Sequence, residues 1–262
     1  MQMVAASKMR EAQQLAIDVR PFVRLLYRIQ RVATTHAHDF THPLLEVRPV
    51  RTRAVLLVAA DKGLCGALNS NVFRIATQYD VSSTVFITAG RKAAQFAAQT
   101  RRRLVAEFAY GDTPQFAESR AIVALLRHLF LSREVDAVDV IASRFINTLT
   151  QQAMTLPFLP ICDITDLQIP GLLPRDSKVP ADFVFEPDAA DIVSYAIGPY
   201  LNLFIHVVLL NAKASEQSAR MVSMQKATDS AAEMIRSLTL EYNKLRQGRI
   251  TRELLEISGG AA

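Results

Sequence analysis

Short apolar runs alternate with amphipathic stretches through the middle of the chain. The apolar runs have the length of buried strands, and the stretches between them have the length and periodicity of helices. Strands that alternate with helices predict a mainly parallel sheet that is covered on both faces. The predicted strands are 55–60, 84–89, 104–109 and 137–143, and the predicted helices are 68–78, 92–99 and 115–131.

The N-terminal segment has small and apolar residues in a different rhythm. They recur at alternating steps of four and three residues, which is typical of a coiled-coil seam rather than of the broader face of a globular helix. Pro21 interrupts this seam, and we expect it to kink the helix or to break one of its hydrogen bonds. The seam consists of Ala5, Met9, Ala12, Ala16, Val19, Val23 and Leu26.

The C-terminal segment predicts a second and longer helix with a seam. Residues 200–247 contain neither glycine nor proline, and as one helix they would extend about 70 Å. Packing on the sheet explains the apolar residues 203–210, but the later stripe has charged flanks and favours a coiled coil. That stripe consists of Met221, Thr228, Ile235 and Tyr242, together with Met224, Ala231, Leu238 and Leu245.

These three zones predict an α/β domain inserted between two terminal helices. Because both helices leave the same domain, they must run antiparallel if they pair as a coiled coil. Five prolines between 157 and 180 predict an extended or looped connection before the last helix. We expect an N-terminal helix over 1–32, an α/β domain over 50–165, a loop region over 166–187 and a C-terminal helix over 188–258.

Length, charge and cysteine content narrow the class of protein. The 262 residues are half apolar, and no uninterrupted apolar run approaches the roughly 18–20 residues of a membrane span. The start lacks a signal-peptide pattern, and two cysteines fit a reducing compartment. The net charge of +5 is too small to indicate nucleic-acid binding, and most of the excess lies in residues 1–31. We expect a chain on the cytoplasmic side with no transmembrane segment of its own.

Glycines at 63 and 66 follow the first predicted strand, which is where nucleotide-binding loops occur. A P-loop ends in Gly-Lys followed by Ser or Thr, whereas Lys62 precedes the first glycine of this loop. A dinucleotide-binding fold also needs an acidic residue after the second strand, and "FITAGRK" contains none. We therefore interpret 61–66 as a turn in which Gly63 supplies a positive φ. Nucleotide binding by this loop remains an alternative.

Other candidate chemistry is weak. His36, His38 and His42 have only Asp39 as a close acidic residue, and a loop histidine cluster is more often exposed than metal-binding. Cys65 near a helix start could have a lowered pKa, but no histidine partner is evident and a structural thiol is favoured. No GxSxG signature appears. We expect no catalytic residue, no metal and no cofactor.

Longer segments carry a specific resemblance. The chain resembles the gamma subunits of F-type ATP synthases, which form the central rotor shaft. The matching segments span nearly the whole chain and occur in the same order as in that family. The segment that ends the chain is the most specific of them. The segments are "MVAASKMREAQ" (3–13), "HPLLEVRPV" (42–50), "DKGLCGALN" (61–69), "SRFINTLTQ" (143–151), "FEPDA" (185–189) and "ASEQSARMVSMQKATDSAAEMIRSLTLEYNKLRQGRITRELLEISGGAA" (214–262).

The resemblance implies a Rossmann-like α/β domain inserted between long N- and C-terminal helices, and a non-catalytic role. The helices would enter the hexamer of three alpha and three beta subunits, and the α/β domain would meet the epsilon subunit and the membrane c-ring. Ion flow would turn ring and shaft together and shift the beta sites between nucleotide affinities. The chain would be a peripheral membrane protein on the cytoplasmic side of the bacterial cell inner membrane.

Two other functions remain alternatives to the rotor. The first is a small α/β nucleotide-binding enzyme that uses the 61–66 loop. The second is a truncated paralogue that no longer assembles. The repeat over residues 221–245 argues against the second, because an unassembled chain has no use for an apolar stripe.

The resemblance also carries over interface residues at matching positions. Arg246 and Gln247 match the positions that bind a loop of beta, and Thr251 and Glu253 lie one turn further on. An arginine suits this role because charge-assisted hydrogen bonds to acidic loops are strong yet reversible. No epsilon or c-ring contact is assigned to an individual residue.

Met3 and Lys8 match the N-terminal helix where it faces the acidic lever region of beta. Ahead of "MVAASKM" the family normally carries more residues, about 35 Å of helix. We interpret the difference as a misassigned start or a shortened rotor. Gly248 replaces the usual alanine at a cost of about 1 kcal/mol to the helix, and we expect it to soften the shaft there.

Overall fold

Five strands form one sheet in the order β3-β2-β1-β4-β5. The computed structural model describes residues 2–19, 21–22, 41–161 and 188–259. Strands β1 to β4 run parallel to one another, and β5 runs antiparallel to β4. The elements are α1 (Gln2–Asp18), β1 (Arg53–Val58), α2 (Leu68–Ala76), β2 (Thr84–Ala89), α3 (Arg91–Gln99), β3 (Arg103–Phe108), α4 (Phe116–Leu131), β4 (Ala137–Phe145), β5 (Gln151–Leu159) and α5 (Ala189–Gly259).

The alternation of strands and helices is confirmed, because β1 to β4 and α2 to α4 all lie within two residues of their predicted bounds. Strand β5 falls where prolines predicted an extended or looped connection. Pro157 lies opposite Asp139 in an antiparallel edge strand, a position that tolerates its missing N–H. Pro157 is therefore compatible with an edge strand, whereas it would argue against a central strand.

Helices cover both faces of the sheet. The larger core lies on the face covered by α4 and α5, where Leu56, Val140 and Phe204 belong to one apolar cluster. A smaller core lies on the opposite face under α2 and α3, where the rings of Phe73 and Phe96 stack at 4.5 Å. This two-sided covering explains why β1 and β2 read as continuous apolar runs.

Helix α5 is 71 residues long and contains Pro199. Its first part packs on the sheet, whereas every described side chain from 225 to 256 is exposed. By length and composition alone, α5 contains one segment apolar enough to cross a bilayer, and 67% of that segment is buried within the fold. Core helices meet the same criterion, so packing on the sheet accounts for its apolar character.

Helix α1 packs against α5, as the fold prediction requires. The seam residues Ala5, Met9 and Ala12 are buried, and Val19 packs against the larger core. The helix ends at Asp18, three residues before Pro21. The seam positions Val23 and Leu26, and the predicted loop region 166–187, lie outside the described residues.

Candidate functional site

The carboxyl ends of the parallel strands meet helix α5. In open α/β sheets ligands bind in the crevice where the strand order reverses, which here lies between β1 and β4. On one side Arg220 donates to the carbonyl oxygen of Lys62 at 3.3 Å. On the other side the Ser218 hydroxyl donates to the carbonyl oxygen of Thr148 at 2.7 Å. Residues of α5 thus fill the place where an α/β enzyme would hold its ligand.

The 61–66 loop offers acceptors to a cation rather than donors to an anion. The Arg220 guanidinium lies within 3.4 Å of the carbonyl oxygens of both Lys62 and Gly63. A phosphate cradle requires backbone N–H groups that converge on one point. The geometry therefore supports a turn that docks on α5, and it disfavours nucleotide binding by this loop.

The expectation that Gly63 supplies the positive φ is wrong. Leu64 has φ +63° and Gly66 has φ +59°, while Gly63 has no positive φ. A Cβ atom on Gly66 would lie 3.1 Å from the Ser223 hydroxyl oxygen, whereas one on Gly63 would meet nothing within 4 Å. Glycine is needed at position 66 because the loop approaches α5 closely there.

Lys213 is the centre of a buried group of charges at this junction. Its side chain has no exposed surface, and its Nζ lies 3.2 Å from carboxylate oxygens of both Asp61 and Glu216 and 3.8 Å from one of Asp112. The ammonium also lies 4.5 Å from the centre of the Tyr110 ring, within the range of a cation–π interaction. A lysine can be buried here because several anionic and aromatic groups replace its water.

Two further basic residues complete the set. Arg220 donates to Glu216 at 2.7 Å, and Lys8 of α1 forms an ion pair with Asp112. The buried side chains of Lys213 and Glu216 thus pair with each other and with Asp61 and Arg220, whereas Lys8 and Asp112 are partly exposed. We call this set the junction cluster; it consists of Lys8, Asp61, Asp112, Lys213, Glu216 and Arg220.

Titration behaviour follows from this arrangement. Burial, with Glu216 as the largest nearby charge, holds the pKa of Tyr110 well above its ordinary value of 10. The hydrogen bond from Lys8 holds the pKa of Asp112 below its ordinary value of 3.8. Both shifts therefore favour a neutral Tyr110 and an ionised Asp112 near neutral pH.

Asp61 also occupies the N-terminus of α3. One of its carboxylate oxygens accepts a hydrogen bond from the backbone N–H of Arg91 at 3.0 Å, and the other accepts from Lys213. A helix N-terminus favours an anion. In this fold the chain's own carboxylate takes that place and links α3 to α5.

The histidine and cysteine candidates have structural surroundings. The Cys65 thiol is buried, and burial raises its pKa, which supports a structural thiol over a reactive one. His42 accepts a hydrogen bond from the backbone N–H of Leu44 in the short turn Pro43–Leu45. His36 and His38 lie outside the described residues. Among residues the structure describes, no three His, Cys, Asp or Glu side chains cluster to hold a metal.

The residues expected at subunit interfaces lie in two places. Arg246, Gln247, Thr251 and Glu253 occupy two successive turns of the exposed part of α5, where Glu253 accepts a hydrogen bond from Arg249. On α1, Met3 is exposed and Lys8 pairs with Asp112 within the chain. The structure therefore does not bring the two groups together, and the charge of Lys8 serves the junction cluster.

The junction cluster itself was not predicted. Its signal in the sequence is the placement of Lys213, Glu216 and Arg220 at the end of an apolar helical stretch. Their spacing of three and four residues places them on one helix face. The acidic partners lie more than a hundred residues away in the chain, so no local pattern identifies them.

Comparisons with known proteins agree over the full chain. A family model described as "ATP synthase" matches residues 1–262. The ATP synthase gamma chain of Opitutus terrae is 40% identical over 98% of this chain and 90% of that relative. The ATP synthase gamma chain of Desulforudis audaxviator is 36% identical over 100% of this chain and 91% of the relative.

Solved structures share the fold. A chain in the central stalk and c-ring structure of Tetrahymena thermophila mitochondrial ATP synthase matches with a TM-score of 0.63. That match has 20% sequence identity and covers 87% of this chain and 97% of the other. A chain of Euglena gracilis mitochondrial ATP synthase matches with a TM-score of 0.62, at 17% identity, over 98% and 92% of the two chains.

Proposed function

The chain belongs to the ATP synthase gamma chain family, and from that premise we propose that it works as the rotor shaft of the complex. Its role is non-catalytic, as a central-stalk subunit of an F-type ATP synthase. The chemistry of ATP synthesis then takes place on other subunits. This chain contributes the mechanical connection between ion flow and those sites.

The free part of α5 is the observation that carries the proposal. Residues 225–256 leave the α/β domain as an exposed helix of roughly 48 Å at 1.5 Å per residue. Large apolar side chains remain exposed on it, among them Leu238, Tyr242 and Leu245. A contiguous exposed apolar surface of this kind indicates an interface with other chains.

This geometry and the family support a proposal about the partners. We propose that the exposed helix enters a hexamer of three alpha and three beta subunits. The α/β domain then faces the epsilon subunit and the c-ring. We propose that in a bacterial cell the chain lies on the cytoplasmic side of the inner membrane, as a peripheral part of a membrane-associated complex.

Specific interface residues are part of the same proposal. Arg246 and Gln247 lie on the exposed helix with side chains available to a partner, and Thr251 and Glu253 lie one turn further on. Arg246 is suited to bind an acidic loop of beta through paired hydrogen bonds. Met3 of α1 is 85% exposed and available to a partner, and Lys8 of the same helix is partly exposed.

Co-expression with the cognate alpha and beta subunits tests the rotor function. We expect native mass determination to find three alpha, three beta and one copy of this chain. We expect the Arg246→Ala variant to retain that mass and to hydrolyse ATP several-fold more slowly, because an interface arginine is lost. Replacing the exposed Arg91 of α3 by alanine provides the control and should leave both readouts unchanged.

The outcomes separate the alternatives. If no complex of that mass forms, the rotor function is contradicted and a non-assembling paralogue is supported. If the isolated chain binds ATP or NAD in a calorimeter, the nucleotide-binding enzyme is supported. Selective loss of hydrolysis in Arg246→Ala supports the assigned interface, whereas equal activity of both variants contradicts it.

A further inference from the structure

Torque must cross one place in this molecule, if the chain is a rotor as proposed above. Within the described residues, the α/β domain and the exposed part of α5 are joined through the segment of α5 that packs on the domain and on α1. The last buried residues before the helix becomes free are those from Lys213 to Arg220. Any twisting force between the domain and the free helix therefore passes this segment.

Apolar packing specifies the rotational setting of a helix less sharply than directional contacts do. The hydrophobic effect is non-directional, so it does not by itself select one angle of α5 about its axis. Hydrogen bonds and paired charges depend on distance and angle. Directional contacts at the end of the packed segment can hold α5 at one rotational setting.

The segment has directional contacts on one side from two separate loops. Lys213, Glu216 and Arg220 share one face of α5. Through them the helix contacts Asp61 and the Lys62 and Gly63 carbonyls of the loop after β1, at 3.2 to 3.4 Å. Asp112, 3.8 Å from Lys213, belongs to the loop after β3 and is paired with Lys8 of α1.

The opposite side is held by hydroxyl groups. Ser218 donates to the Thr148 carbonyl at 2.7 Å, and Gln151 donates to the Ser218 hydroxyl at 3.4 Å. Ser215 donates to the Ser143 carbonyl at 3.5 Å. Contacts from the loops after β1 and β3, from β4, and from the β4–β5 turn with the first residue of β5 thus hold one short segment of α5.

We propose that the junction cluster is a clamp that fixes the rotational setting of α5 in the α/β domain, so that torque passes to the free helix without slip. Lys213, Glu216 and Arg220 are positioning residues in this function. They touch no substrate and act through the orientation of the helix. The proposal rests on the rotor function and adds the residues through which the torque is transmitted.

The test compares hydrolysis with transport in the whole complex. Complete ATP synthase containing the double variant Lys213→Met/Glu216→Gln is reconstituted in lipid vesicles. ATP hydrolysis and ATP-driven charge movement are measured together, the latter with a voltage-sensitive dye that responds to either H⁺ or Na⁺. We expect hydrolysis to continue and the charge moved per ATP to fall several-fold, because α5 slips in the domain.

A matched control removes an ion pair elsewhere. Glu46 pairs on the exposed surface of the α/β domain with Arg48 at 2.7 Å and with Arg133 at 3.9 Å, and Glu46→Gln/Arg133→Met makes the same change of charge. We expect this control to keep the wild-type ratio of charge to ATP. A ratio that is unchanged in Lys213→Met/Glu216→Gln overturns the clamp, and so does hydrolysis that falls in proportion to transport.

A reversible cross-link tests the clamp even if the double variant is unstable. In a Cys65→Ser background, Gly66→Cys and Ser223→Cys place two thiols at the close approach of the loop to α5, where a Cβ on residue 66 lies 3.1 Å from the Ser223 hydroxyl oxygen. Because the positive φ of residue 66 strains a cysteine there, the same two cysteines with Lys213 and Glu216 unaltered provide the reference. We expect oxidation to restore the ratio in the double variant and reduction to remove it again. Failure of the formed disulfide to restore the ratio overturns the proposal.

These outcomes are distinct from failure of the rotor function. If complexes with the unaltered chain show no coupling of hydrolysis to charge movement, the rotor function itself is contradicted. If they are coupled and the double variant is coupled equally well, only the clamp is contradicted.

Discussion

Single side chains at the junction carry constraints that their residue types alone do not reveal. Lys213 has no exposed surface, and carboxylate oxygens of Asp61, Asp112 and Glu216 lie within 3.8 Å of its Nζ, where they replace the water that the side chain loses on burial. Gly66 and Gly63 lie in the same loop, yet only Gly66 has a positive φ and a close neighbour on α5. The environment therefore decides which of two similar residues is replaceable.

The two glycines form a matched pair for mutation. We expect Gly66→Ala to lower the free energy of unfolding by about 1–2 kcal/mol, because alanine is strained at φ +59° and its Cβ meets Ser223. Gly63→Ala should change it by less than about 0.5 kcal/mol, since its Cβ has open space. Urea unfolding of both variants measures the difference, and equal effects would contradict the assigned loop geometry.

Asp112 predicts a pH dependence of stability. Its pKa is lowered in the folded chain, first by the hydrogen bond from Lys8, so its contribution is fully present above the unfolded value. It is lost as the pH falls through the folded pKa, below 3.8. We expect urea midpoints of the unaltered chain to fall more steeply in that range than those of Asp112→Asn. Asp229→Asn, at an exposed position of α5, is the control, and parallel curves for Asp112→Asn would refute the ion pair.

Elements of this fold differ in what stabilises them. The first part of α5 tolerates Pro199 because packing on the sheet stabilises it. The exposed part from 225 to 256 has no such support within the described chain and depends on helix propensity and on local pairs such as Arg249–Glu253. One continuous helix thus has two different sources of stability.

Gly248 lies in the exposed part of α5, where intrinsic helix propensity contributes most to the stability of the helix. A Cβ at this position meets nothing within 4 Å, so we expect Gly248→Ala to stabilise the local helix by about 1 kcal/mol. Native-state hydrogen exchange should then be slower for the amides around residue 248. Ala227→Gly, also on the exposed part, should have the opposite effect on its own neighbours. Unchanged exchange near 248 would show that this glycine does not soften the helix.

The whole molecule is an α/β domain with its ligand crevice filled by its own helix. Helix α5 occupies the carboxyl edge of the sheet up to Arg220 and then continues alone. This arrangement replaces a substrate site by a mechanical joint, which agrees with a non-catalytic role in the ATP synthase family. The boundaries 1–32, 50–165, 166–187 and 188–258 remain our proposed division of the chain.

The sequence itself determined the features that rest on a local pattern of apolar residues. The strands of the α/β domain follow from short apolar runs, and its helices follow from apolar residues that recur with the period of a helix. The long C-terminal helix follows from residues 200–247, and the buried Ala5, Met9 and Ala12 follow from the N-terminal seam. Family membership follows from motifs that extend over nearly the whole chain.

Only the tertiary structure decided the junction. Asp61 and Lys213 are 152 residues apart in the chain, and no local pattern indicates that they meet. The same holds for Gly66, whose constraint comes from Ser223 of α5, and for β5, whose proline is permitted because the strand is at the sheet edge. Local periodicity specifies the elements and their buried faces, whereas the contacts between distant elements depend on how the whole chain packs.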